Sequence, residues 1–124
     1  MFISRASLLL TGMALAGVFG AAAASAADAL YFEKVDVKTG SEATCLRFAS
    51  DVARQNGFTD VHKSASEVAG RTNNAYVAIT CVGRGNQPAI AVIMSVAPSF
   101  ETAKAAGHAA ANKIKGIICF DTPC

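Results

Sequence analysis

The sequence is 124 residues long, with 52% hydrophobic and 16% charged residues and a formal net charge of +2. This length leaves room for one small domain and not for several. Because acidic and basic residues nearly balance, the chain offers no basic stripe for nucleic acid or anionic lipid. The composition therefore argues against a multidomain enzyme and against a nucleic-acid-binding protein.

A secretory signal peptide is predicted in residues 1–27. A short positive start ends at Arg5, and a run of apolar residues covers positions 8–24. Small residues at the end of this run offer cleavage after Ala26 or after Ala27. The alternative is an uncleaved membrane anchor, but glycines interrupt the run and no stop-transfer charges follow it.

Cleavage would leave one small domain over residues 28–124, located in the periplasm or secreted. Loss of Arg5 would reduce the eleven basic residues to ten, against nine acidic ones. No cysteine directly follows the apolar run, so the sequence does not indicate a lipoprotein. We therefore predict a free exported protein that makes no stable membrane insertion after cleavage and binds no nucleic acid.

The first elements of this domain are predicted to be a strand and a helix. Residues 30–37 alternate in part between apolar and polar side chains and indicate a strand. Ser41 is a candidate N-cap for a helix over 42–56, whose end is marked by Gly57 followed by Phe58. The helix residues expected to face inward are Cys45, Phe48, Ala49, Val52 and Ala53.

Strands are predicted in the middle of the domain. The small polar residues of 59–72 fit an edge strand or an extended loop. Asn73 and Asn74 indicate a turn, because Asn tolerates a positive φ, and a strand rich in β-branched residues follows over 75–82. Residues 83–88 then form a predicted hairpin loop.

A last strand and a closing helix are predicted after the hairpin. Residues 89–96 are apolar at both parities, which is typical of a central or covered strand. Ser99 is a candidate N-cap of the helix, and Lys113 and Lys115 suit its carboxyl end. The residues expected on its inward stripe are Phe100, Ala103, Gly107, Ala110, Ile114 and Ile117.

These elements predict an α+β fold, a two-layer sandwich of an antiparallel three-to-four-stranded sheet with two helices on one face. The other face of the sheet is left open. The residues of the 75–82 strand that line it are either Tyr76, Ala78, Thr80 and Val82 or those of opposite parity. The aromatic residues expected in the core are Phe32, Phe48, Phe58, Tyr76 and Phe100.

Four cysteines follow the predicted signal and indicate two structural disulfides. If successive predicted elements run in opposite directions, Cys81 and Cys119 lie at the same end of the domain. Cys45 comes to the other end, and a disulfide needs Cα atoms within about 7 Å. The topology therefore favours Cys81–Cys119 over Cys45–Cys81 with a local Cys119–Cys124 bridge, and it leaves Cys124 to reach Cys45.

No complete catalytic or metal-binding pattern is found in the sequence. Cys-x-x-Cys and Gly-x-Ser-x-Gly motifs are absent. The two histidines, His62 and His108, have no His or Cys three or four positions away. Gly83-Arg84-Gly85 leads into a strand and not a helix, so it is interpreted as a hairpin turn and not as a phosphate loop. We therefore expect no enzymatic activity, no metal and no cofactor.

Three features resemble a group of small exported bacterial proteins without an assigned activity. They are Ala78-Ile79-Thr80-Cys81, the apolar strand Ala91-Val92-Ile93-Met94, and the alanine-rich closing helix. The similarity covers residues 42–117 and consists of core-strand patterns. It implies export and a layered fold of helices on a sheet, but it transfers no functional residue, and the tail with Cys119 and Cys124 has no place in the group.

Two hypotheses about function follow. The first is a small exported, disulfide-stabilised, non-catalytic binding or interaction module for a protein or small ligand, with the open sheet face as its surface. An exposed apolar patch there would indicate a partner, or a homodimer through that face, and a fully polar face would count against it. The second hypothesis is a thiol–disulfide or oxidative-stress protein that uses Cys119 and Cys124.

Overall fold

The structure, a computed structural model, describes residues 27–119. Residues 1–26 of the predicted signal peptide 1–27 lie outside the described residues, and so does Cys124. No helix in the described part is long and apolar enough to cross a bilayer. The elements in chain order are β1 (Ala29–Asp36), α1 (Glu42–Gln55), β2 (Thr59–Lys63), β3 (Glu67–Thr72), β4 (Ala75–Arg84), β5 (Gln87–Ala97) and α2 (Phe100–Gly116).

The sheet has five strands in the order β1-β5-β4-β3-β2, and every neighbouring pair is antiparallel. The α+β class and the antiparallel sheet are confirmed, whereas the expected number of three to four strands is too low. The predicted single segment 59–72 is in fact a hairpin of β2 and β3. Its turn forms because Ser64 N–H donates to the Glu67 carbonyl at 2.9 Å, so the small residues between them close a tight reversal.

Both helices pack on one face of the sheet, as predicted. α1 contacts β3 and β4, α2 contacts β1 and β5, and the two helices contact each other. The odd-numbered side chains of β4 and β5 point into this layer, because successive side chains of a strand alternate between faces. Large core side chains with no exposed surface are Val52, Val77, Ile79, Ile93 and Ile114.

The helix ends follow the predicted capping residues. Ser41 Oγ accepts from the Thr44 N–H at 3.1 Å, and Ser99 Oγ accepts from the Thr102 N–H at 3.2 Å. Such bonds satisfy backbone donors that have no partner in the first turn. After α1, Gly57 has a φ of +70°, which lets the chain turn back toward the sheet.

Small residues let α2 lie close to the sheet. A Cβ on Gly107 would stand 2.8 Å from Cδ1 of Tyr31 and 3.1 Å from Cβ of Ser95, so only glycine fits at this crossing. The predicted inward stripe is confirmed at its centre, but Phe100 is 50% exposed. Phe100 is the first residue of the helix and lies at the margin of the two layers. Its ring and the ring of Tyr31 are arranged edge to face, with their centroids 6.0 Å apart.

The disulfide links Cys45 of α1 to Cys81 of β4, with their Cα atoms 6.0 Å apart. The predicted pairings of Cys81 with Cys119 and of Cys45 with Cys124 are therefore wrong. The error comes from the missed β2–β3 hairpin. Because of this extra reversal, β4 runs in the direction opposite to the predicted one. Cys81, near the end of β4, therefore lies beside the start of α1.

Cys119 lies after α2, half-buried against the core. It is disulfide-bonded, and the described residues include no free cysteine. Because Cys45 and Cys81 bond to each other, neither of them is the partner of Cys119. The small domain is thus disulfide-stabilised, with α1 tied covalently to the helix-covered side of the sheet.

Candidate interaction face

The sheet face opposite the helices carries a regular array of side chains. It consists of the even-numbered residues among 30–36, 76–82 and 90–96, together with the odd-numbered residues of β3, and we call this set the open face. The strand registers arrange it in rows, one of which runs from Phe32 through Met94 and Ala78 to Ala69. The predicted choice between two parities is thereby settled in favour of Tyr76, Ala78, Thr80 and Val82.

Large apolar side chains are exposed across the open face. The exposed fractions are 54% for Leu30, 60% for Phe32, 36% for Tyr76, 45% for Val82, 42% for Met94 and 37% for Val96. These residues come from three adjacent strands, so they form one patch and not scattered single positions. A contiguous apolar patch on a small protein marks a binding surface far more often than an isolated exposed residue does.

The position of β5 explains why its sequence is apolar at both parities. The strand lies between β1 and β4, so the prediction of a central strand is confirmed. Its odd-numbered residues lie under the helices, while Met94 and Val96 of the other parity stand exposed. Of the two alternatives, central or covered, residues 27–119 show the central one, with one side of the strand left exposed.

The aromatic side chains divide between the core and the surface. Phe48 and Phe58 are buried as expected. Phe32, Tyr76 and Phe100 were expected in the core, and their exposure contradicts that expectation. Phe32 and Tyr76 belong to the open face because their strand positions have the parity that points away from the helices.

Charged and polar groups lie at the margins of the open face. The guanidinium of Arg71 lies over the ring of Tyr76, 5.9 Å from the ring centroid. Thr80 Oγ1 donates to Glu67 Oε2 at 3.0 Å and holds that carboxylate beside β4. On the opposite margin, Lys34 makes no ion pair with the residues that the structure describes.

The two histidines lie apart, one on each side of the sheet. His62 is exposed on β2. His108 Nδ1 lies 2.8 Å from Glu33 Oε1, the oxygen that also accepts from the Tyr31 hydroxyl at 2.8 Å. The bond to Glu33 raises the pKa of Tyr31, with desolvation and the charge of Glu33 acting in the same direction. Among residues 27–119, no group of three His, Cys, Asp or Glu side chains converges on one point.

A concave region lies at the carboxyl end of α1, between that end, α2 and the turn from β3 to β4. It is a cleft of about 300 Å³. The residues that line it are Asn56, Thr72, Asn73, Ala75, Thr102, Ala105, Ala106 and Ala109. This volume is at the lower end for a small-molecule pocket, and its lining has amides and hydroxyls but no charged side chain.

The three cysteines that the structure describes do not contribute to the open face. Cys45 and Cys81 are buried on the helix-covered side, and Cys119 follows α2. Their positions agree with structural roles in the core. Export of the protein and the resemblance to small exported bacterial proteins stay predictions.

The exposed residues Leu30, Phe32, Met94 and Val96 were missed as candidate functional residues. Their signal was present in the sequence as apolar positions at both parities of the first and last strands. It became interpretable only once both helices were known to cover one face. No protein-family model and no curated protein sequence matches this chain.

Proposed function

We propose that this protein is a small exported interaction module that binds its partner through the open face and has no catalytic role. The single observation that carries the proposal is the contiguous apolar patch formed by β1, β5 and β4. Burying such side chains against a partner gains about 25 cal/mol for each Å² removed from water. Leu30 and Phe32, each more than half exposed, offer the largest gain.

The rigidity of the face supports a binding role. Its strands are held in register by their neighbours, and their other side is fixed by the buried core of Ile79 and Ile93. The Cys45–Cys81 disulfide further anchors β4 to α1. A rigid surface binds with little loss of conformational entropy, so more of the burial energy is retained as affinity.

The disulfides also support export. Structural disulfides form and persist in oxidising compartments such as the periplasm or the extracellular space. Cys45, Cys81 and Cys119 are all bonded. The proposed location is therefore the periplasm or the medium, in agreement with the predicted signal peptide.

Site-specific photo-crosslinking in the producing cell tests the proposal. A photoreactive residue replaces either Met94 on the open face or Lys104, an exposed position on α2. We expect a crosslinked adduct from position 94 and none from position 104, because only the first contacts a partner. Equal adducts at both positions, or none at position 94, would contradict a role for the open face.

A matched pair of substitutions checks that the adduct depends on the apolar patch. Phe32→Asp puts a charge on the open face, whereas Phe100→Asp puts one at a similarly exposed phenylalanine beside the helices. We expect Phe32→Asp to abolish the adduct at position 94 and Phe100→Asp to leave it unchanged. Circular dichroism and the intact disulfide establish that both variants are folded.

The thiol–disulfide hypothesis stays a prediction. It depends on Cys119 and Cys124, of which Cys119 is bonded and half-buried and Cys124 lies outside the described residues. A count of free thiols under native conditions, repeated after mild reductant, decides it. A count of zero in both measurements would end the hypothesis.

A further inference from the structure

We propose that the partner of the open face is a second copy of this chain, and that the two sheets pack face to face about a two-fold axis parallel to the strands, between β4 and β5. This inference rests on the proposed function and specifies its partner. In this arrangement β5 of one protomer lies over β4 of the other, and β1 lies over β3. Each row of side chains then faces the same row of its partner in reverse order.

The sizes of the side chains in the central row favour this axis. Phe32 and Met94 occupy one half of the row, and Ala78 and Ala69 occupy the other half. Phe32 and Met94 are 60% and 42% exposed, whereas Ala78 is only partly exposed and Ala69 is 1% exposed, because its neighbours cover it. Reversal of the row places Phe32 over Ala69 and Met94 over Ala78, so the large side chains of one protomer face small side chains of the other and do not oppose each other.

The charges of the next row favour the same axis. This row runs from Lys34 of β1 through Val92 and Thr80 to Glu67 of β3. Reversal places the ammonium group of Lys34 opposite the Glu67 carboxylate of the partner. Lys34 has no ion-pair partner within the described chain, and Thr80 holds Glu67 in place by a hydrogen bond. Two symmetry-related charge pairs therefore flank the apolar centre, as the rim of an interface requires.

A two-fold axis perpendicular to the strands lacks both kinds of complementarity. It stacks each strand over its own copy, so β1 meets β1 and β3 meets β3. The half of the face with Phe32 and Met94 would then oppose itself, and the alanine half would be left unfilled. The two Lys34 residues would also lie along the same edge of the interface, where their positive charges repel each other.

The size of the face suits a weak, reversible dimer. With strands about 4.8 Å apart and residues about 3.4 Å apart along them, four strands from residue 30 to residue 36 cover about 20 Å by 20 Å. Two such faces bury on the order of 1000 Å² together, the lower limit for a specific interface. We therefore expect a dissociation constant on the order of 10 µM.

Sedimentation velocity on the purified protein over a concentration series, combined with a charge swap, tests the dimer. Lys34→Glu and Glu67→Lys each oppose like charges, and we expect each to weaken the dimer about tenfold. The double variant restores opposite charges, and we expect it to dimerise as the wild type does. Lys104→Glu, a charge reversal on α2, is the matched control and should change nothing.

The variant Glu67→Gln separates the charge from the hydrogen bond. It keeps an acceptor for the Thr80 hydroxyl and removes the negative charge, so its dimer should be weaker than wild type but stronger than that of Glu67→Lys. The charge contribution should also decrease as salt is added, because exposed charges are screened.

Three results would overturn the dimer. One is a protein that stays monomeric up to concentrations well above the expected dissociation constant. Another is a dimer that Lys34→Glu weakens while Glu67→Lys does not, which would indicate pairing through the β1 edge. The third is a double variant that fails to recover.

The failure of the dimer is distinguishable from the failure of the proposed function. A monomeric protein that still gives an adduct at position 94, with a mass other than twice that of the chain, binds another macromolecule through the open face. The function then stands and the second copy is refuted. If no adduct forms at position 94 at all, the function itself is refuted.

Discussion

The two faces of the sheet differ in how much of their side chains is exposed to solvent, although the same strands form both faces. On the helix-covered face, Val77, Ile79 and Ile93 have no exposed surface. On the open face, directly alternating with them, Tyr76 is 36% exposed and Met94 is 42% exposed. Large apolar residues occur on both sides.

This difference teaches that hydrophobicity alone does not identify the core of this protein. What distinguishes the covered face is the small residues of the helices that pack on it, above all Gly107 and Ala110, which allow the helix to approach the sheet closely. The open face has an apolar centre with charged residues at its margins, and no element covers it in the described part of the chain. Stability should therefore depend on the covered face, and binding on the open one.

The largest loss of stability is expected from removal of the disulfide that fastens the covered face. The double variant Cys45→Ala/Cys81→Ala opens a loop with a sequence separation of 36. The entropy of that loop corresponds to about 4 kcal/mol of unfolding free energy. Urea denaturation of the oxidised proteins measures the loss, and an unchanged midpoint would show that the bridge contributes little.

The comparison of the faces is tested most directly by two isoleucines on one strand. Ile93→Ala empties a fully buried position under the helices and should lower the free energy of unfolding by about 3 kcal/mol. Ile90→Ala removes the same atoms from a partly exposed position on the open face and should cost less, about 1 to 2 kcal/mol, at protein concentrations where the chain is monomeric. Equal losses by thermal denaturation would mean that the open face is covered after all.

A smaller effect, of opposite sign, is expected from Ser95, which is buried on the covered face beside Gly107. Its hydroxyl oxygen has no hydrogen-bond partner among residues 27–119. Ser95→Ala removes this unsatisfied group, so we expect stabilisation by about 1 kcal/mol. Ser66→Ala, at an exposed position, is the control and should change the unfolding free energy by less than about 0.5 kcal/mol. A destabilised Ser95→Ala would contradict the absence of a partner.

The smallest effect concerns the margin of the covered face, where the Tyr31 hydroxyl donates to Glu33. This bond raises the pKa of Tyr31 above its ordinary value of 10.0. Because the folded state favours the protonated phenol, the stabilisation is complete below about pH 10 and is lost as the pH rises through the folded-state pKa.

Tyr31→Phe removes this titration. The stability difference between wild type and variant should be constant up to about pH 10 and should shrink at higher pH. The difference in tyrosinate absorbance between the two proteins gives the Tyr31 titration directly. A midpoint at or below the ordinary value would show that the bond to Glu33 is absent in solution.

Local sequence signals predicted the elements but not all of their relations. The capping serines, Gly57 and the inward stripe of α1 were predicted correctly, because each depends on contacts within a few residues. The β2–β3 hairpin was missed because β2 is exposed along its whole length and shows no apolar alternation. That one missed reversal was enough to invert β4 and to give the wrong partner for Cys81.

The sequence predicted the location of the candidate site but not all of its residues. The sheet face opposite the helices was expected to be the binding surface, and Tyr76, Ala78, Thr80 and Val82 were one of its two predicted parities. Phe32 was assigned to the core instead, because an aromatic residue in a predicted strand is more often buried than exposed. Only the position of both helices on the other side decided its exposure.

The sequence by itself determined the fold class, the helix ends and the inward stripe of α1, since backbone capping and helical periodicity are local properties. The tertiary structure alone decided the number of strands, the Cys45–Cys81 pairing and which face is left open. These depend on contacts between residues far apart in the chain. A stretch such as 89–96, apolar on both sides, is compatible with either face being covered until the helices occupy one of them.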